Sequence, residues 1–216
     1  MESSLKVLTF NTWLIKKFGI KASNHFVNQR FSYLAENLMN TNADVICLQE
    51  VWSFSQKKRL IESMSLTHPY SYKTSPIKNI LFGDGLLVLS KFPIKKARSK
   101  KFHANTSLEE KWLAHKSYQT MTIEHPNLGD IQLVNTHLGA VRSEKNNNGE
   151  HTGFNETHRY IRGLQANELT QELRKNIYGE APTIVCGDIN SHHKHWESGN
   201  WTKDMSFEYG LFVESL

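Results

Sequence analysis

Cysteine is almost absent from this chain. Cys47 and Cys186 are the only two among 216 residues. Two are too few for a disulfide framework, so nothing in the sequence requires an oxidising compartment. Each sits in an apolar, strand-like run, where a buried free thiol is the expectation. Long apolar runs are missing as well: none approaches the ~20 residues that cross a bilayer. The opening residues, Met1-Glu2-Ser3-Ser4, lack the charged region, apolar region and small-residue cleavage site of a signal peptide. The expectation is a cytoplasmic protein, or one exported without a cleavable leader. No repeat is present, no low-complexity tract beyond Asn146–Asn148, and no linker that divides the chain. Residues 1–216 are therefore expected to form one domain.

What is present suits a folded globular chain: 38% hydrophobic and 22% charged residues. Lys and Arg number 26 against 21 Asp and Glu, a formal charge of +5 that leaves out eleven histidines. This excess is compatible with an anionic substrate, nucleic acid or an acidic membrane face, and selects none of them.

Periodicity divides the chain into strands and helices. Leu5–Phe10, Val45–Leu48, Leu86–Leu89, Ser117–Ile123, Ile131–Val134 and Thr183–Cys186 read as strands. Asn28–Asn40 reads as a helix on Phe31, Leu34, Ala35 and Leu38, and Gln56–Met64 as a second on Leu60, Ile61 and Met64. Asn155–Lys175 reads as a third, with Ile161, Leu164, Leu169 and Leu173 as its buried face. Lys16–Asn28 and Asn146–Gly149 read as polar loops. Asn127-Leu128-Gly129-Asp130 is a hairpin-type turn. Strands that first alternate with helices and then meet in a hairpin predict a sheet sandwich covered by helices.

Polar residues end several of these strands. Asn11 follows the first, Gln49-Glu50 the second, Asn135-Thr136-His137 the hairpin strand, and Gly187-Asp188-Ile189-Asn190 the last. Each has a plain alternative. Glu50 could cap the next helix; Asp188 and Asn11 could serve their own turns; His137 could be a structural histidine. Together they suit a hard cation and a phosphate, because polar strand ends are where crevices form in sheet proteins. Glu50 is the leading metal-ligand candidate. His137 is placed to donate to a phosphate oxygen or to protonate a leaving group. Asp188 would orient or deprotonate an attacking water, and Asn190 would donate its amide to phosphate. The His192-His193-x-His195 cluster admits a zinc reading, against which the nearby carboxylates weigh. Lys95–Lys101 would either touch phosphates or an anionic bilayer or be a solvated segment. Trp112, Trp196 and Trp201 would be core or membrane-interface residues.

In their order along the chain these blocks resemble the endonuclease/exonuclease/phosphatase (DNase I-like) superfamily of magnesium-dependent phosphoesterases. The matching segments are Leu8–Trp13, Ala43–Val51, Gly85–Ile94, Val134–Leu138 and Cys186–Asn190. Within the superfamily the sequence is most similar to neutral sphingomyelinases, through Ser90-Lys91-Phe92-Pro93-Ile94, through His137-Leu138, and through a helix carrying His158-Arg159 and Gln165.

The resemblance implies an α/β fold, a four-layer α-β-β-α sandwich. It implies Mg²⁺, or Mn²⁺ in its place, held by Glu50 with help from Asn11. His137, Asp188 and Asn190 would serve the scissile phosphate and the attacking water. The implied reaction converts sphingomyelin to ceramide and phosphocholine, with peripheral membrane contact. A DNase-like nuclease acting on nucleic acid is the alternative on the same scaffold. Family members continue beyond the Gly-Asp-x-Asn strand to a Ser-Asp-His motif. None follows Asn190 here, so the fold is expected to be incomplete at its C-terminal side, and a catalytically dead binding module is a third reading.

Overall fold

Strand β2 (Val45–Gln49) is buried at every position, yet it faces two different interiors. Alternation sends Ile46 and Leu48 into one apolar cluster and Val45 and Cys47 into another. A strand with two apolar faces must lie inside a layered body. The computed structural model describes residues 4–14, 26–74, 83–105, 115–140, 143–145, 148, 151–176, 181–191, 194–197 and 200–205.

Strands β1 (Val7–Asn11), β2, β3 (Tyr70–Tyr72) and β4 (Leu87–Ser90) form one sheet in the order β1-β2-β4-β3. Strands β5 (Ile94–Lys101), β6 (Ser117–His125), β7 (Gly129–His137) and β10 (Thr183–Asp188) form the other, in the order β10-β7-β6-β5. Two hairpins stand apart: β8 (Ser143–Lys145) with β9 (His151–Phe154), and β11 (Lys194–Glu197) with β12 (Asn200–Met205).

Helices α1 (Val27–Asn40) and α2 (Phe54–Met64) cover the first sheet, burying Phe31, Leu34, Leu38, Leu60 and Met64 against Ile46, Leu48, Leu87 and Leu89. Helix α3 (Glu156–Asn176) covers the second, with Ala166, Leu169 and Leu173 against Phe102, Tyr118 and Val134. Between the sheets lie Val45, Cys47, Val88, Met121, Ile123 and Leu133. The result is the four-layer α-β-β-α sandwich.

One expectation about α3 is corrected. Leu164 is 41% exposed, whereas Leu169 and Leu173 are fully buried. The buried stripe runs back from Leu173 through Leu169, Ala166, Gln165 and Arg162, and Leu164 lies to one side of it. Cys186 is half-buried rather than buried. Lys95–Lys101 is a strand along an edge, and the loop read at Lys16–Asn28 already belongs to α1 from Val27. Most of the loop read at Asn146–Gly149, and residues 15–25, lie outside the described residues.

No helix among the described residues is long and apolar enough to cross a membrane.

Candidate active site

Strand direction brings the polar ends together. β1 and β2 are parallel, as are β7 and β10. Asn11 therefore pairs in register with Gln49, beside Glu50, and His137 pairs with Asp188. The two sheets present these ends to one mouth.

Asn11 Nδ2 donates to Glu50 Oε1 at 3.1 Å and to Asp188 Oδ2 at 2.7 Å. His137 Nε2 lies 3.9 Å from Glu50 Oε1 and 3.6 Å from Asp188 Oδ2. Asn190 Nδ2 donates to Leu138 O at 2.9 Å, and its backbone N–H donates to Asp188 Oδ1 at 2.9 Å. The structure thus gathers all five predicted residues. A cleft of about 520 Å³ opens over Asn11, Asp188 and Asn190. A separate apolar groove of about 660 Å³, lined by Leu8, Trp13 and Leu34, shares Phe10 and Asn11 with it.

The backbone here is unusual. Glu50 has φ 59° and Asn190 φ 50°. A glutamate in the left-handed region costs about 1–3 kcal/mol and is held by its neighbours: Leu14 N donates to Glu50 O at 3.1 Å, and Val51 N to Gly85 O at 2.9 Å. Glu50 does not cap α2; Ser53 does, in a capping box with Gln56.

Helix α3 supports the site from outside. Gln165 Oε1 accepts from Gly139 N at 2.7 Å, and Arg162 donates to Asn190 O.

One residue that the strand-end pattern missed is Lys116. Its Nζ, 2.7 Å from His137 Nε2, is the donor of that hydrogen bond, because an ammonium cannot accept. Burial first, and then the Lys116 charge, hold the His137 imidazole well below its ordinary value, so it is neutral. Lys116 escapes a search for strand C-termini because it immediately precedes β6, which runs antiparallel to β7: Ser117 pairs with His137.

The donor set suits a hard cation: two carboxylates converge on a single amide. Asn11 offers its amino group to them, its Oδ1 accepting from Trp13 N at 3.0 Å.

The basic strand β5 is different. Lys95 pairs with Glu124, Arg98 with Glu172 at 3.2 Å, and Lys100 with Glu172 at 3.3 Å. Much of its charge is spent within the fold. His192 and His193 lie outside the described residues, as do the side chains of His195, Trp112, Trp196 and Trp201.

Comparison with known proteins follows the same lines. The profile of the Endonuclease/Exonuclease/phosphatase family matches residues 8–210. The inositol phosphosphingolipids phospholipase C of Schizosaccharomyces pombe is 30% identical over 192 residues, covering 86% of this chain and 41% of the relative. Sphingomyelin phosphodiesterase 2 of Mus musculus is 27% identical over 194 residues, covering 88% and 42%. The chain thus spans about two-fifths of the length of these relatives. Among solved structures, sphingomyelinase C from Streptomyces griseocarneus superposes with a TM-score of 0.73 at 21% identity, over 99% of this chain and 70% of the other. Staphylococcus aureus beta toxin with bound magnesium ions superposes with a TM-score of 0.70 at 16% identity, again over 99% and 70%.

Proposed function

The chain belongs to the endonuclease/exonuclease/phosphatase family, and from that premise we propose that its strand-end cluster hydrolyses a phosphodiester with Mg²⁺, the substrate being a sphingolipid such as sphingomyelin. The carrying observation is the meeting of Glu50 and Asp188 on the Asn11 amide beside His137. Glu50 is the residue to hold the ion, and Asn11 helps by orienting the Glu50 and Asp188 carboxylates through its amino group rather than by ligating through Oδ1, which is turned to Trp13 N. When bound, the ion supplies charge to the phosphate oxygens and lowers the pKa of a coordinated water. The remaining work falls to the chain's own groups. Asp188 keeps Oδ1 on Asn190 N and Oδ2 on Asn11 Nδ2, which fixes the carboxylate at the cleft. Asn190 spends one amide N–H on Leu138 O and has a second for a phosphate oxygen. His137, held neutral, spends its Nε2 lone pair on the Lys116 ammonium and so fixes that cation beside Asp188, in place of the proton donation expected of the imidazole.

Two observations favour lipid over nucleic acid. An apolar groove between β1 and α1 borders the cleft at Phe10 and Asn11 and suits a hydrocarbon chain. On the basic strand that would track a phosphate backbone, Lys95, Arg98 and Lys100 are engaged by Glu124 and Glu172. The relatives' names, a phospholipase C of inositol phosphosphingolipids and a sphingomyelin phosphodiesterase, point to the same chemistry.

The test incubates the chain with sphingomyelin in mixed micelles and with DNA, each with Mg²⁺ or with EDTA. Phosphocholine release that needs Mg²⁺ is expected, and Glu50→Ala should lower kcat/KM by at least about a hundredfold, the upper range for disturbing a metal shell. A Glu50→Ala variant with full Mg²⁺-dependent activity removes the ligand assignment. Cleavage of DNA alone moves the substrate class. A folded chain that turns over neither is a binding module.

A further inference from the structure

One layer beneath the site, two buried amides join the sheets. Gln49 is 1% exposed and Asn135 fully buried. Gln49 Nε2 lies 2.8 Å from Asn135 Oδ1, 3.1 Å from Thr9 Oγ1 and 3.1 Å from Cys47 O. Asn135 Nδ2 returns a bond to Leu48 O at 3.3 Å. One amide group therefore touches β1 at Thr9, its own strand β2, and β7 at Asn135 in the opposite sheet. Each contact stands one or two residues before a member of the site: Thr9 before Asn11, Gln49 before Glu50, Asn135 before His137. Side chains two apart on a strand share a face, about 6–7 Å apart along it. The amide layer is thus the floor on which Asn11 and His137 stand, and Asp188 follows His137 by register.

Apolar packing alone does not set the spacing of two sheets at one end. Leu, Val and Met slide past each other at little cost, whereas a buried amide pair holds only at hydrogen-bond distance. We infer that the Gln49–Asn135 bridge is a positioning strut, which fixes the distance between the Asn11–Glu50 half of the site and the His137–Asp188 half. This rests on the proposed phosphodiesterase reading for its consequence, a weakened cation site, but the strut itself is a statement about the two sheets.

A strut that only stabilised the fold would be replaceable by apolar groups. Exchanging both partners of a buried hydrogen bond for apolar side chains of similar shape is close to neutral for stability. The double variant Gln49→Met/Asn135→Leu separates the two roles. Its urea midpoint is nonetheless expected to fall without loss of the folded state, because Thr9 Oγ1, Cys47 O and Leu48 O lose a donor. Its dissociation constant for Mn²⁺, read by calorimetry without substrate, is expected to rise at least about tenfold, as when groups that orient metal ligands are lost. Unchanged Mn²⁺ affinity in a folded double variant overturns the inference.

Two further measurements keep the strut decidable. If the unaltered chain binds no Mn²⁺, the phosphodiesterase reading falls. The strut is then decided by the imidazole ¹⁵N shifts of His137, which move in the double variant if the bridge sets its place and stay fixed if it does not. If the double variant fails to fold, the Nε2 protons of Gln49 in the unaltered chain decide. Exchange with solvent as slow as that of the β2 and β7 backbone supports the bridge, and exchange at the rate of a free amide overturns it.

Discussion

Asn11 and Asp188 each do two things with different atoms. Asn11 uses Oδ1 to close its own turn onto Trp13 N and Nδ2 to hold two carboxylates. Asp188 uses Oδ1 on Asn190 N and Oδ2 on Asn11. The turn reading holds for both residues, and the same side chains also meet each other at the cleft. Gly187, just before Asp188, is required for a different reason. Its φ is 142°, and a Cβ there would stand 2.0 Å from Thr136 O and 2.8 Å from Thr136 C and N, all backbone of β7. Gly187→Ala should destabilise the fold by about 3 kcal/mol, the upper part of the range for overpacking and strain, read as a lowered urea midpoint. His115 carries the pH dependence. Burial, with help from the Lys101 and Lys57 charges, pushes its imidazole down to about 4, although the Asp84 charge opposes them. Between about 6.5 and 4 the unfolded chain holds a proton there that the folded chain does not. Stability should fall as pH drops through that window. His115→Asn should flatten the decline in urea midpoints measured from pH 7 to pH 4, leaving the share that belongs to His137, also held neutral.

At the scale of elements, strand direction made the site legible. The ends of β1, β2, β7 and β10 are visible as apolar runs that stop at Asn, Glu, His and Asp, and four strands ending at one mouth follow from two parallel pairs. Lys116 was not legible, because the start of an antiparallel strand carries no such mark. The edge strand β5 was hidden by its own charge: Lys, Arg and Ser outnumber its apolar residues, and its pairing with Glu168 and Glu172 on α3 joins positions more than sixty apart in the chain. The sequence places Leu164 on the same buried face of α3 as Leu169 and Leu173, and only packing separates them. Leu169→Ala should cost about 2–5 kcal/mol, because Leu169 meets Ala166, Leu173 and Tyr118 in a closed cluster. Leu164→Ala should change stability by no more than about 0.5 kcal/mol. Thermal unfolding of the two variants side by side checks both values.

At the scale of the molecule, the layering was legible from β2 and β4, whose unbroken apolar runs demand cover on both faces. The order of strands was not, because register and neighbours are set by contacts distant in sequence. That order leaves β1 at the end of one sheet and β10 at the end of the other, and the two strands lie against each other. β10 is an apolar strand that is only half-buried along its length, and Phe10 on β1 is 48% exposed. Among the described residues no further strand pairs with the outer edge of β1 or β10, and such edges recruit other strands. The chain should self-associate as its concentration rises, and Phe10→Lys should reduce that association in light scattering while leaving the circular dichroism spectrum unchanged.

The hydrogen bond from Asn11 to Asp188 spans 177 positions. A nascent polypeptide leaving the ribosome has made its first cleft residue long before the last one exists, and no local stretch of it can hold a cation meanwhile. The candidate site is thus a late product of folding, complete only when the two sheets have met, and the slow closure of so large a loop delays it beyond the formation of any helix that shields it.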